Sequence, residues 1–136
     1  MAVTLPETLK AVLDGRTFVT VATVQPDGGP QLTPVWITYE GDDLLISTVV
    51  GRRKEQNLRR DPRVVVQVLP ADEPYSYATL YGTATLTTEG GQELIDRLAQ
   101  KYAGTSYAEF NPGSEREAPR VVVRITTERI VGQGIV

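Results

Sequence analysis

The sequence predicts a mainly β chain, an antiparallel sheet rolled into a closed or partly open barrel with helices on its rim. Three observations carry this. Six segments rich in Val, Ile, Thr and Tyr are separated mostly by short turns bearing Gly, Pro and Asp, which favours antiparallel neighbours. Helical periodicity is confined to a few unevenly spaced segments, too few for a doubly wound parallel sheet. A chain of 136 residues, 40% hydrophobic and 23% charged, suits one folded domain spanning 1–136.

The elements follow in order. Thr4, Pro6 and Glu7 read as a capped helix start, and Leu5, Leu9, Val12 and Leu13 form its apolar stripe before Gly15. Residues 17–25 and 30–39 are predicted as two strands of a hairpin, joined by Pro26-Asp27-Gly28-Gly29. A second turn, Glu40-Gly41-Asp42-Asp43, leads into a third strand over 44–50. Residues 51–61 turn abruptly polar and helix-favouring, closed by Pro62. Strands are predicted over 63–69 and 77–86, separated by a loop at 70–74. Thr88 or Glu89 opens a helix with Leu94, Ile95, Leu98, Ala99 and Tyr102 on one side, ended by Gly104. Residues 105–119 read as a loop, and 120–130 as the last strand.

Composition narrows the chemistry. There is no cysteine, hence no disulfide, thiolate metal site or cysteine nucleophile. There is no histidine, so neither a Ser-His-Asp triad nor an ordinary zinc site can be built, and no metal site is expected. Such a chain is a binder, or an enzyme whose cofactor carries the chemistry. No apolar run reaches the ~18 residues of a membrane span, and the first residues lack a secretory pattern. A cytoplasmic protein without a membrane role is expected.

The net charge is −3, yet Arg52, Arg53, Lys54, Arg59, Arg60 and Arg63 concentrate six of the fourteen Lys and Arg in one stretch. They follow Ser47, Thr48 and Gly51 at the end of a strand. Strand, small hydroxyls, glycine and a basic helix start make an anion site: free N–H groups and the helix dipole favour negative charge, and arginine adds a bidentate grip. The plainer reading is a solvated basic face. Nucleic acid fits poorly, because the run is short and no aromatic residues are interleaved for stacking.

Two further features stand out. Pro34, within Gln31-Leu32-Thr33-Pro34-Val35-Trp36, cannot donate to a ladder, so its strand is an edge or is irregular there. Trp36, the only tryptophan, fits core filling better than ligand stacking. Tyr75 and Tyr77 are spaced to share one strand face, which suits the core, a pocket or a dimer seam.

Taken together, Gln31 to Trp36, Leu44-Leu45-Ile46-Ser47-Thr48, Arg52-Arg53-Lys54 and above all Asn57-Leu58-Arg59-Arg60-Asp61-Pro62-Arg63-Val64 resemble the pyridoxamine-phosphate-oxidase-like flavin-binding split barrels. Within that group the chain is similar to the branch that uses the deazaflavin coenzyme F420. The resemblance implies a six-stranded antiparallel split β-barrel forming a homodimer, with two cofactor sites at the subunit interface. It implies that Arg52 and Lys54, with Arg53 beside them, hold the cofactor phosphate, and that Ser47 and Thr48 flank the phosphate and ribityl chain. Gln31, Thr33 and Val35 would run along the ring, Asn57 would support the site, and Tyr75 and Tyr77 would reach it from the other subunit.

The implied activity is hydride transfer from reduced F420 to a small conjugated organic substrate. The excess of arginine favours F420, whose oligoglutamate tail is acidic, over FMN. An FMN-dependent oxidoreductase and a non-catalytic flavin or deazaflavin carrier are the alternatives. True pyridoxamine-phosphate oxidase activity is not expected, because the residues gripping that substrate include a histidine that this chain lacks.

Overall fold

A computed structural model describes residues 1–136. The chain runs α1 (Glu7–Asp14), β1 (Val19–Val24), β2 (Pro30–Val35), β3 (Thr38–Glu40), β4 (Asp43–Val49), α2 (Arg53–Arg60), β5 (Arg63–Val68), β6 (Tyr77–Thr87), α3 (Gly91–Ala103), α4 (Tyr107–Phe110), a 3-10 turn (Ser114–Arg116) and β7 (Arg120–Gln133). The strands form one antiparallel sheet in the order β2-β1-β5-β6-β7-β4-β3. The mainly β barrel class is as predicted, with seven strands rather than six.

The extra strand arises where the predicted 30–39 segment breaks. Its first half pairs only with β1 and its second half only with β4, so Trp36 and Ile37 carry the chain between the two margins of the sheet. The joint lacks ladder partners, and α3 supplies them. Tyr102 Oη accepts the Ile37 N–H at 3.2 Å and donates to Thr17 O at 2.6 Å, while Lys101 Nζ donates to Ile37 O at 2.7 Å. Buried backbone groups need such partners, so the break is stable only with α3 in place. Pro34 lies on an edge strand, as its missing donor requires.

Inward residues of the strands and one stripe of α1 fill the barrel. Leu5, Leu9 and Leu13 meet Val21, Leu44, Ile46, Val66, Leu80, Val123 and Ile125 in a single core. On the other face of β4 and β7, Leu45 and Val122 pack against Leu94 and Leu98 of α3. Both faces of this strand pair are therefore covered, which explains the unbroken apolar runs at 44–46 and 121–123.

Three boundaries differ from expectation. The first helix starts at Glu7 with Pro6 as its cap residue and no side-chain cap; Thr4 does not cap it, and the Leu5 N–H instead donates to Asp42 Oδ1 at 3.0 Å. The predicted loop 105–119 contains α4 and the 3-10 turn, with the Ser106 hydroxyl accepting the Glu109 N–H at 3.2 Å. The last strand continues to Gln133, because β6 is long enough to pair with it past a bulge at Tyr81/Gly82. No helix is long and apolar enough to cross a membrane.

Candidate functional site

Where β4 ends, β7 begins and α2 starts, a cleft of about 260 Å³ opens between the barrel and α3–α4. One side is cationic and the other aromatic. Alternation along β4 sets the first contribution: Leu44, Ile46 and Thr48 point into the barrel, while Ser47 points out to the cleft. Gly51, at φ +93°, turns the chain from β4 toward α2, a conformation that costs a glycine little. Arg52 and Lys54 then face the cleft from the helix start.

Arg120, the first residue of β7, completes the cluster. Its side chain is only 9% exposed. Nη2 donates to Glu117 Oε1 at 3.2 Å and to the Tyr107 hydroxyl, and Nη1 reaches Ser47 Oγ at 3.4 Å. The guanidinium lies 4.5 Å from the Tyr107 ring centroid. Its Nε is buried without a partner. Arg52 Nη2 donates to the other oxygen of the same carboxylate, Glu117 Oε2, at 3.0 Å. Partial burial, with Arg52 and Arg120 nearby, lowers the Lys54 pKa to about 8. Two arginines thus share one carboxylate, Lys54 lies beside them with no ion-pair partner, and one buried donor is left over.

The aromatic side is built around Trp36, which stacks on Tyr102 with centroids 5.4 Å apart and planes 7° from parallel. Phe110 meets its edge at 4.9 Å. Phe18 and Phe110 remain 61% and 51% exposed at the mouth, although both are large apolar groups. Trp36 is accordingly half-buried: it packs against the α3 clusters and also lines the cleft, rather than filling the barrel core.

Helix α2 is seated by a polar network under it. Asn57 is fully buried, and its Nδ2 donates to Thr23 Oγ1 at 3.1 Å and approaches Gln31 Oε1 at 3.4 Å. Thr23 Oγ1 donates in turn to Gln31 Oε1 at 3.0 Å, and Arg60 spans Asn57 Oδ1 and the Val24 carbonyl. At the helix start, buried Glu55 accepts the Gly51 N–H at 2.9 Å and the Arg59 guanidinium. The Gly51 bond, reinforced by Arg59, holds its carboxyl below the usual range.

Of the residues expected at the site, the structure brings Val35, Ser47, Arg52 and Lys54 into this cleft. Thr48 is turned into the barrel by the strand's period of two. Asn57 and Gln31 lie beneath α2 and act through it. Thr33 shares their face of β2, with its hydroxyl buried and unpartnered. Gln25 N donates to Gly29 O at 2.8 Å, and with the β1–β2 register this assigns the N–H groups of residues 31, 33 and 35 to β1. The free edge carries Pro30, Leu32 and Pro34, so Leu32 offers its single N–H. Those three backbone N–H groups are therefore not open to a ring. Arg53 is exposed outside the cleft. Tyr75 and Tyr77 are 84% and 36% exposed at the far end of β6, where Tyr77 pairs with Gln133, thirteen residues along β7 from Arg120.

Sequence reasoning missed Arg120, Glu117, Tyr107, Phe110 and Phe18. The pattern Ser106-Tyr107-Ala108-Glu109, a capping-box signature, was the available signal for α4. Nothing local marked Arg120. Residues 71–73 line a separate groove beside α1.

A family model described as Pyridoxamine 5'-phosphate oxidase matches residues 5–134. The chain belongs to that family. Solved structures share its barrel. An F420 reductase is 26% identical with a TM-score of 0.80, covering 94% of this chain and 99% of that one. The conserved hypothetical protein Rv2991 from Mycobacterium tuberculosis is 26% identical at 0.73, covering 90% and 80%. HupZ from Group A Streptococcus is 20% identical at 0.67, covering 91% and 90%, and so speaks to the fold alone. In this pyridoxamine 5'-phosphate oxidase family chain, Trp36 and Ile37 join the two strands at opposite ends of the sheet order.

Proposed function

We propose that this chain is an oxidoreductase that holds F420 in the cleft and passes hydride to a small conjugated organic molecule. One observation carries the reading: Arg52 and Arg120, the latter with a buried unpartnered Nε, share a single carboxylate, with Lys54 beside them and an aromatic wall opposite. A phosphate satisfies the first side, and a flat ring suits the second. The bound coenzyme would supply the hydride chemistry itself. The protein's part is to fix the phosphate, orient the ring against Trp36 and keep water out. The similarity to an F420 reductase favours the deazaflavin, and exposed Arg53 on the first turn of α2 suits an acidic tail. FMN offers the same phosphate contact and is the second reading.

The decisive experiment is the absorbance spectrum of the purified protein, followed by titration with F420 and with FMN. F420 binding together with turnover of enones or quinones is expected. Tight FMN binding without F420 binding shifts the assignment to an FMN enzyme, and tight binding without any turnover to a carrier. Failure of both ligands to bind overturns the reading.

Homodimerisation is part of this proposal. Leu32, Ala22, Val65 and Tyr81 form one row across the outer face of four strands, by the register Ala22↔Leu32, Ala22↔Val65 and Val65↔Tyr81. Leu32 is 63% exposed, and Arg63, Glu128 and Arg129 rim the groove beside the row. An apolar row with a charged rim is a common interface pattern. Tyr75 and Tyr77, remote from the cleft of their own subunit, would approach that of the partner. Sedimentation equilibrium at micromolar concentration should return a dimer; a monomer there would rule the arrangement out.

The pH dependence of binding follows from Lys54. Its amine loses its proton near pH 8 in the free protein, and a bound phosphate adds negative charge that raises this value. Binding therefore takes up a proton above pH 8, and affinity falls as pH rises, approaching about tenfold per unit. Below pH 8 the amine is already charged and contributes no slope. Titrations from pH 7 to 9.5 check this, and Lys54→Ala should flatten the upper limb.

A further inference from the structure

We propose that Glu117 is a built-in competitor for the anion site, a carboxylate that an incoming phosphate must displace. This rests on the cleft being the phosphate site. Glu117 places one oxygen on Arg52, at 3.0 Å, and the other on Arg120, at 3.2 Å. It therefore bridges the two arginines that a phosphate would bridge. Its side chain is 21% exposed, so it already meets solvent and regains hydration on leaving the arginines, and it sits just past the 3-10 turn (Ser114–Arg116). No other carboxylate pairs with Arg52 or Arg120. Two carboxylate oxygens cannot satisfy this donor set, because Arg120 Nε stays buried without a partner. Inorganic phosphate or a phosphate monoester such as FMN has a third terminal oxygen and more charge, and so can engage Arg52, Lys54 and both kinds of Arg120 nitrogen.

The consequence is selectivity. A ligand that presents only a carboxylate gains nothing at the arginines that Glu117 does not already provide, and a ring without phosphate leaves Glu117 in place. A phosphate-bearing ligand gains the extra contacts and expels the internal anion.

The test compares the wild-type protein with Glu117→Gln, Glu117→Ala and the double variant Arg52→Ala/Lys54→Ala. Inorganic phosphate and FMN serve as phosphate-bearing probes, and riboflavin as the same ring without phosphate. Binding is followed by chemical-shift titration and fluorescence quenching. Both Glu117 variants should bind phosphate and FMN at least tenfold more tightly, with riboflavin unchanged. The double variant should lose phosphate-dependent binding. If the double variant loses binding but neither Glu117 variant gains it, the competitor role is overturned while the cleft assignment stands. If the Glu117 variants weaken binding, the carboxylate positions the arginines and the proposal fails. If no variant alters binding of either phosphate-bearing probe, both the proposal and the cleft assignment fall.

Discussion

Replacing Arg52 and Lys54 together by alanine raises the dissociation constant of the phosphate-bearing coenzyme by at least ~100-fold, with the unfolding midpoint nearly unchanged. A charge-assisted hydrogen bond is worth roughly 1.5–3 kcal/mol, and losing two at the low end of that range gives the figure. The low end applies because the Arg52 side chain is 56% exposed and therefore screened. Neither side chain belongs to the barrel core, so stability should survive. Loss of both cations also removes like-charge repulsion from Arg120, which works against destabilisation. Isothermal titration alongside thermal unfolding separates the two effects. A large fall in midpoint with no change in affinity would place the phosphate elsewhere.

The second large effect is expected at Asn57. Asn57→Leu keeps the branched outline and heavy-atom count, adds some bulk, and removes every hydrogen bond the amide makes. Thr23 and Gln31 retain each other, but the Arg60 contact and the tie between α2 and β1–β2 are lost. Loss of buried hydrogen bonds with a polar partner left behind costs about 2–3 kcal/mol, or roughly 6–12 °C in the midpoint for a chain of this size. Coenzyme affinity should fall as well, because α2 carries Lys54 and Arg52 caps its start. Chemical denaturation gives the stability change, and an unshifted transition would show that helix packing through Leu58, not the polar network, holds α2. Asn57→Asp is the informative companion: it keeps the shape and the Arg60 partner but turns the donors toward Thr23 and Gln31 into acceptors.

Much of the fold was legible because its local signals agree. The apolar stripe of α1, the β-branched runs of β1, β5 and β7, the turn residues at 26–29 and the stops at Gly15 and Gly104 each point to the element observed. The errors fall where tertiary context overrode local pattern. Residues 30–39 read as one strand because β propensity continues through Trp36 and Ile37. The break exists because Tyr102 and Lys101, some 65 positions away in the chain, satisfy the backbone there. Residues 105–119 read as a loop because Gly, Asn and Pro outweigh a four-residue helix that is stable only through contacts such as Tyr107 N–H to Asp96 Oδ1 at 3.1 Å.

The site divides in the same way. The cationic start of α2 was visible as a cluster of like charge after a strand and a glycine, since neighbours in sequence are neighbours in a helix turn. Arg120 was not visible, because what brings it there is the β4–β7 ladder, which sets Val49 opposite Arg120 across 71 positions. Thr48 and Ser47 were indistinguishable in sequence, and only the face that α3 covers decides which of them meets the cleft.

The chain's composition and order by themselves determined a histidine- and cysteine-free antiparallel barrel with a basic helix start after its third long strand. These are consequences of residue chemistry and short-range spacing. Only the tertiary structure decided that Arg120 and Glu117 join that helix and that an aromatic wall stands opposite. Ladder register and helix docking are long-range pairings, and no local pattern encodes which distant side chains they bring together.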